Sequence, residues 1–210
     1  MIYKKKNFKY DKKNPAMLHI KDKDRYKAFY EFSAEENRNV VLNSYKRNNL
    51  KFIVPKGDII DVGCHVGYNV IYYAERGFNV TGVDISENAI RYATERVEKL
   101  STEVQDRITL INSDISDLGD VGKYDTVILM EVLEHVIDPE EAFGRTVPLM
   151  KKDATLYVSA PCERIGNFAH VRGITEEWII NEGEKYGITF QFKNHKHKRG
   201  VKMRAIGNFK

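Results

Sequence analysis

From residue 55 onward, short apolar runs alternate with longer stretches in which apolar residues recur every three or four positions. The runs read as strands: Asp58–Gly63 (DIIDVG), Asn79–Ile85 (NVTGVDI), Arg107–Ser113 (RITLINS), Tyr124–Val132 (YDTVILMEV) and Ala154–Ala160 (ATLYVSA). Helices fall between them. One covers Tyr68–Arg76 and is closed by Gly77. A long one is N-capped by Ser86 and runs to about Leu100. Another opens at Asp138-Pro139, with the proline in the first turn. The last spans Thr175–Tyr186 and ends at Gly187. Ile188–Lys193 and Val201–Phe209 then follow as two strands with no helix between them, joined by a basic loop around His195–Gly200. Upstream, Tyr26, Phe29 and Tyr30, then Val40, Val41 and Tyr45, predict two amphipathic helices interrupted near Ser33, which is expected to cap the second. Residues 1–22 are polar and Lys-rich and read as a surface arm.

Strands separated by helices imply a parallel sheet covered on both faces. The two final strands form a hairpin, so the expected fold is α/β, mostly parallel with an antiparallel C-terminal edge. Two regions are expected: an N-terminal arm with lid helices over residues 1–54, and a ligand-binding domain over 55–210. Open α/β sheets bind ligands beyond the carboxyl ends of their strands.

Three candidate features stand at those ends. In DVGCHVGYN, residues 61–69, Gly63 allows a tight turn and Gly67 lets the next helix pack closely. Asp84 ends the second strand, where a carboxylate can accept both hydroxyl protons of a ribose. Asp114 ends the third, where a carboxylate can hold an exocyclic amine. The nicotinamide fingerprint G-x-G-x-x-G is absent, which argues against a dehydrogenase. Three acidic strand ends in series suit an adenosine-bearing ligand without phosphate.

With these residues, the chain resembles the class I S-adenosylmethionine-dependent methyltransferases over about residues 55–210. The resemblance is carried by DIIDVGCHVGYN, GVDIS, NSDI, YDTVILMEVLEH and LMKKDATLYVSAP. It implies a seven-stranded Rossmann-like sheet with a reversed final strand. It also implies S-adenosyl-L-methionine as cofactor. Asp61, Gly63 and Gly67 would shape the methionine side, Asp84 the ribose site and Asp114 with Ile115 the adenine site. Cys64, Ile85 and Glu131 complete the implied cofactor set. His65 departs from the family, which usually has glycine there.

The segment MEVLEHVIDP places Glu131, Glu134 and His135 within five residues. On one helical turn they would share a face. With His170, from AHVRGIT, they form a candidate divalent-cation site (Mg or similar). E-x-x-E-H is similar to the ubiquinone-pathway O-methyltransferases and to the small-RNA 2′-O-methyltransferases; in the latter, two Glu and two His hold a metal. Three roles stay open for these residues: metal ligation, direct base or substrate contact, and structure. His135 and His170 are the candidate bases for an oxygen nucleophile. The expected activity is O-methylation of a small-molecule or sugar hydroxyl. RNA 2′-O-methylation with a divalent metal, and a non-catalytic S-adenosylmethionine-binding module, are the alternatives.

Composition narrows this further. The 210 residues are 42% hydrophobic and 30% charged, which excludes wholesale disorder and fibrous repeats. No window is apolar enough for a membrane span, and MIYKKKNFKY lacks a signal peptide's apolar region. Two distant cysteines, Cys64 and Cys162, do not make a disulfide scaffold or a thiolate zinc site, so a cytoplasmic setting is expected. The net charge of +4 is uneven: residues 1–13 hold six Lys against Asp11, and residues 185–210 hold eight Lys or Arg with no acid. Basic ends can meet nucleic acid or simply be solvated. The run His195-Lys196-His197-Lys198-Arg199 reads as a solvated loop or a phosphate or metal site, and Trp178 as core.

Overall fold

Strands buried on both faces must be covered on both, and this requirement organises the chain. The computed structural model describes residues 30, 31, 33–35, 50–163, 170, 172–193, 195–197 and 200–210, with backbone only at 195–197, 200 and 201. In chain order the elements are β1 (Ile59–Val62), α1 (Tyr68–Ala74), β2 (Val80–Asp84), α2 (Glu87–Val97), the single turn α3 (Thr102–Gln105), β3 (Ile108–Asn112), β4 (Tyr124–Met130), α4 (Pro139–Thr146), β5 (Met150–Pro161), α5 (Glu176–Lys185), β6 (Ile188–Phe192), β7 (His195–His197) and β8 (Gly200–Phe209).

The strand order is β3-β2-β1-β4-β5-β8-β6, with β7 paired to β8. Pairs among β1 to β5 are parallel, and β8 runs antiparallel to β5, β6 and β7. The chain winds outward from β1 to β3, then returns to β4 on the other side of β1. The switch point therefore lies between β1 and β4. β1 and β2 are buried at every residue. On one face Val127, Leu129, Leu156 and Val158 pack with Phe143 of α4 and Ile179 of α5. On the other, Ile59, Ile128 and Tyr157 pack with Val70 and Tyr73 of α1 and with Leu50 and Ile53. Each such aliphatic side chain, fully buried, stabilises the fold by about 1.5–3 kcal/mol.

The cap expected at Ser86 holds, Asp138 opens its helix as expected, and Thr175 also acts as a cap. Ser86 Oγ accepts from Ala89 N at 3.0 Å, Asp138 Oδ1 from Glu141 N at 2.8 Å, and Thr175 Oγ1 from Trp178 N at 3.1 Å. Trp178 packs edge-on against Phe143, and its indole N–H reaches Glu140 at 3.1 Å. Three expectations change. Ser33 is itself helical rather than a cap, next to Ala34, which is fully buried against Val66, Ala89 and Tyr92. β5 begins at Met150, because the residues before Ala154 continue the strand beside Tyr124. The basic stretch expected as a loop contains β7, because the ten-residue β8 extends past β6 and offers Gly200–Lys202 as an edge to pair. Tyr26, Phe29, Val40, Val41 and Tyr45 lie outside the described residues.

Candidate active site

The loop after β1 is built on two left-handed glycines. Gly63 (φ 78°) and Gly67 (φ 80°) adopt backbone that a side chain resists. A Cβ at Gly63 would lie 2.4 Å from Val132 Cγ2, and one at Gly67 3.0 Å from Ala93 Cβ. Gly63 N and Cys64 N both donate to Val83 O, at 2.8 and 3.0 Å, which turns the loop toward the end of β2. His65 is left-handed as well (φ 50°), so the residue that stands for glycine keeps a glycine-like backbone.

That backbone serves Asp84. His65 N donates to Asp84 Oδ2 at 2.8 Å and Ser86 N to Oδ1 at 2.9 Å. A carboxylate has about four acceptor positions, so two remain for further donors. Burial pushes the Asp84 carboxyl up to about 6, against the two amide bonds that pull it down; Glu31 adds a smaller upward push. Asp61, at the switch point, is 2% exposed and accepts from Asn69 Nδ2 at 3.1 Å. Its carboxyl is pushed up to about 7, chiefly by burial, with Asp84 adding repulsion. Cys64 is buried nearby, and burial raises its thiol well above the ordinary range. Asp114 caps a short 3-10 turn, Ile115–Asp117, by accepting from Ser116 N at 3.0 Å, and Ile115 is buried beneath it. Ile85, half-buried, follows Asp84. Asp61, Gly63, Cys64, Gly67, Asp84, Ile85, Asp114 and Ile115 thus all sit on the carboxyl side of β1, β2 and β3.

The stretch after β4 is a turn, not a helix, so Glu131 and Glu134 do not share a helical face. Glu131 leaves β4 with φ 59°, and its N–H pairs with Ser159 O at 2.8 Å. Its carboxylate accepts from Ser159 Oγ at 2.7 Å and pairs with the Lys202 ammonium of β8. Burial pushes the Glu131 carboxyl up and the Lys202 ammonium down, Arg204 adding to the latter by repulsion. Glu134 is fully buried, and neither oxygen has a hydrogen-bond partner. Burial first and Glu131 second push its carboxyl far upward, against a smaller downward pull from its own backbone amide.

His135 Nε2 lies 3.8 Å from Glu134 Oε1. The His135 and His170 rings meet edge-on with centroids 4.7 Å apart, and burial lowers the His170 pKa. Arg172 Nη2 donates to Ile137 O at 2.7 Å, which ties the loop after β5 to the turn after β4. Glu134, His135 and His170 bring ligand atoms within 4.8 Å of one another. Three of the four residues expected around a cation therefore converge, and Glu131 is engaged with Ser159 and Lys202. Sequence reasoning missed Lys202; among eight basic residues near the C-terminus, only the β5–β8 pairing distinguishes it.

Comparison with known proteins settles the family. A family described as a methyltransferase domain matches residues 34–198. The chain belongs to this methyltransferase-domain family. Among curated relatives, the chain is 27% identical over 154 residues to the ubiquinone biosynthesis O-methyltransferase of Marinobacter nauticus, covering 70% of this chain and 64% of that one. It is 34% identical over 101 residues to the Hydrogenovibrio crunogenus enzyme of the same name, covering 48% and 41%. It therefore spans less than two thirds of the length of these relatives. Its fold matches magnesium protoporphyrin IX methyltransferase from Synechocystis, solved with S-adenosylhomocysteine (TM-score 0.73, 19% identity, 90% of this chain and 100% of that one). It also matches the glycopeptide N-methyltransferase MtfA complexed with S-adenosylmethionine (TM-score 0.65, 11% identity, 80% and 93%). No helix among the described residues is long and apolar enough to cross a membrane.

Proposed function

We propose that the chain binds S-adenosyl-L-methionine and methylates a hydroxyl of a small molecule. One observation carries this reading. Buried carboxylates at the ends of β1 and β2 stand at the same edge of the sheet as a pair of histidines. The carboxylates suit a ligand bearing hydroxyls and positive charge. Asp84 retains acceptor capacity for a ribose, and Asp61 offers negative charge beside the glycine loop. S-adenosylmethionine, when bound, supplies a methyl group on a positively charged sulfur. The chain's own task is then to hold the acceptor in line and to take its proton. His170, kept neutral near pH 7 by burial, is the base, and His135 packs against it and orients it. The ubiquinone biosynthesis O-methyltransferase relatives favour oxygen over nitrogen and a small acceptor. The test is calorimetry with S-adenosylhomocysteine, then methyl transfer from labelled S-adenosylmethionine to a panel of catechols and sugars. Binding with turnover on a hydroxyl is expected. Binding without turnover on any acceptor would favour a non-catalytic module.

A second reading concerns a cation. A fully buried carboxylate lacking hydrogen bonds is costly unless it is neutralised. Glu134 is such a group, and His135 and His170 complete an oxygen and nitrogen donor set that fits a divalent ion. The ion would supply charge to lower the pKa of a bound hydroxyl. Exhaustive chelation should then remove most activity, and Mg²⁺ or Mn²⁺ should restore it. Full activity after chelation would leave Glu134 protonated and structural.

A further inference from the structure

Helix α2 begins directly beside the cofactor-side carboxylate Asp84, and its first backbone N–H groups need acceptors. Ser86 Oγ takes only Ala89 N. The others are met from 55 residues upstream. Glu31 Oε1 accepts from Glu87 N at 2.7 Å, and Glu31 Oε2 accepts from Asn88 N at 2.8 Å and from Ser86 Oγ at 3.0 Å. Asn88 Nδ2 also donates to the Glu31 carbonyl at 3.4 Å. A carboxylate at the positive end of a helix is favoured electrostatically as well. Ala34 and Glu35, three and four residues on, lie on the same side of the helical segment as Glu31. Ala34 is fully buried against Val66, Ala89 and Tyr92, and Tyr92 Oη donates to the Glu35 carboxylate. The neighbouring residue, Tyr30, is turned toward the other subsite. Its ring meets His135 edge-on, centroids 5.7 Å apart.

We propose that Glu31 is a positioning residue: by capping α2 beside Asp84 it holds Tyr30 against His135, making residues 30, 31 and 33–35 a shared wall of the cofactor and acceptor subsites. The inference rests on the methyltransferase reading. Adjacent helical residues are fixed relative to one another, so anchoring Glu31 sets the direction of Tyr30. Ser86 links the two ends, since it donates through N to Asp84 and through Oγ to Glu31. Occupancy at Asp84 is thereby felt at Tyr30 and His135.

The test is NMR of the full chain with carbon-labelled histidine rings, the His135 signals being assigned from the spectrum of His135→Asn. Tyr30→Leu should move the His135 ring-proton signals, because the edge-on ring is removed. Glu31→Ala should move the same signals in the same direction, by at least half as much, and Glu31→Gln by an intermediate amount. S-adenosylhomocysteine should shift His135 further in the wild type, and less than half as far in Glu31→Ala. Signals of Glu31→Ala and Glu31→Gln that coincide with wild type, while Tyr30→Leu moves them, would overturn the role of Glu31. Glu31→Gln serves alone where the alanine variant does not fold. Absence of S-adenosylhomocysteine binding to the wild type would overturn the methyltransferase reading itself, and with it the link. Unmoved His135 signals in a chain that binds the ligand would overturn only the positioning role.

Discussion

Asp61 and Asp84 show how a buried carboxylate can oppose the stability of its own fold. Both are buried, and burial holds their carboxyls at about 7 and about 6. An acid raised in the folded state binds more protons there than when unfolded. These groups therefore lower stability as pH rises from about 4 to about 7, and protonation restores it. Asp61→Asn should accordingly stabilise the ligand-free protein at pH 8 by up to about 4 kcal/mol, with little gain at pH 4. The same change should weaken S-adenosylhomocysteine binding. Thermal unfolding at the two pH values and calorimetry measure these effects. Asp84→Ala should weaken S-adenosylhomocysteine binding by about 10- to 100-fold, since it removes a charged acceptor from a buried site; unchanged affinity would sink the assignment of the pocket. Asp84 was legible in the sequence because it ends an apolar strand. The two amides that hold its carboxylate were not, since one comes from His65, nineteen residues away.

At the scale of elements, the glycine loop and the turn after β4 depend on each other. Gly63 needs its positive φ, and the side-chain space beside it is filled by Val132. Gly63→Ala should destabilise the fold by about 2–4 kcal/mol in urea denaturation, combining left-handed strain with overpacking. Gly77→Ala is the control. Its φ is also positive, yet nothing lies within 4 Å of the new Cβ, so about 1 kcal/mol is expected. The E-x-x-E-H spacing suggested one helical face. Instead the chain turns at Glu131, because its amide continues toward Ser159 of β5 while its carboxylate meets Lys202 of β8. Pairing between strands that are distant in sequence decides that, and residue spacing does not encode it.

For the whole molecule, the charge split takes on a different meaning. Of the basic residues near the C-terminus, Lys202 pairs with Glu131, Arg204 is buried with its guanidinium over Phe52, and Lys185 pairs with Glu182. Lys202 and Arg204 are thus used internally, and exposed Lys185 is paired on the surface, which shrinks the footprint available to a nucleic acid. Binding to single-stranded RNA should be weak at 150 mM salt, a concentration chosen as physiological; tight binding with a steep salt slope would revive the RNA reading. The acidic strand ends are the complementary feature. S-adenosylhomocysteine affinity should fall at least about tenfold between pH 8 and pH 5 as Asp61 and Asp84 take up protons. The stabilisation that the ligand gives in thermal unfolding should fall in parallel.

Local chemistry made much of this protein legible. Apolar runs, glycine turns and Ser86, Asp138 and Thr175 caps act over a few residues, so the sequence alone determined the alternating α/β order, the reversed C-terminal strands and the positions of Asp61, Asp84 and Asp114. Convergence is different in kind. The meeting of His135 with His170, the capture of Glu131 by Lys202, and the capping of α2 by Glu31 each join residues between 35 and 71 positions apart in the chain. Such contacts depend on strand order and on how the sheet ends pack, and only the tertiary structure decided them.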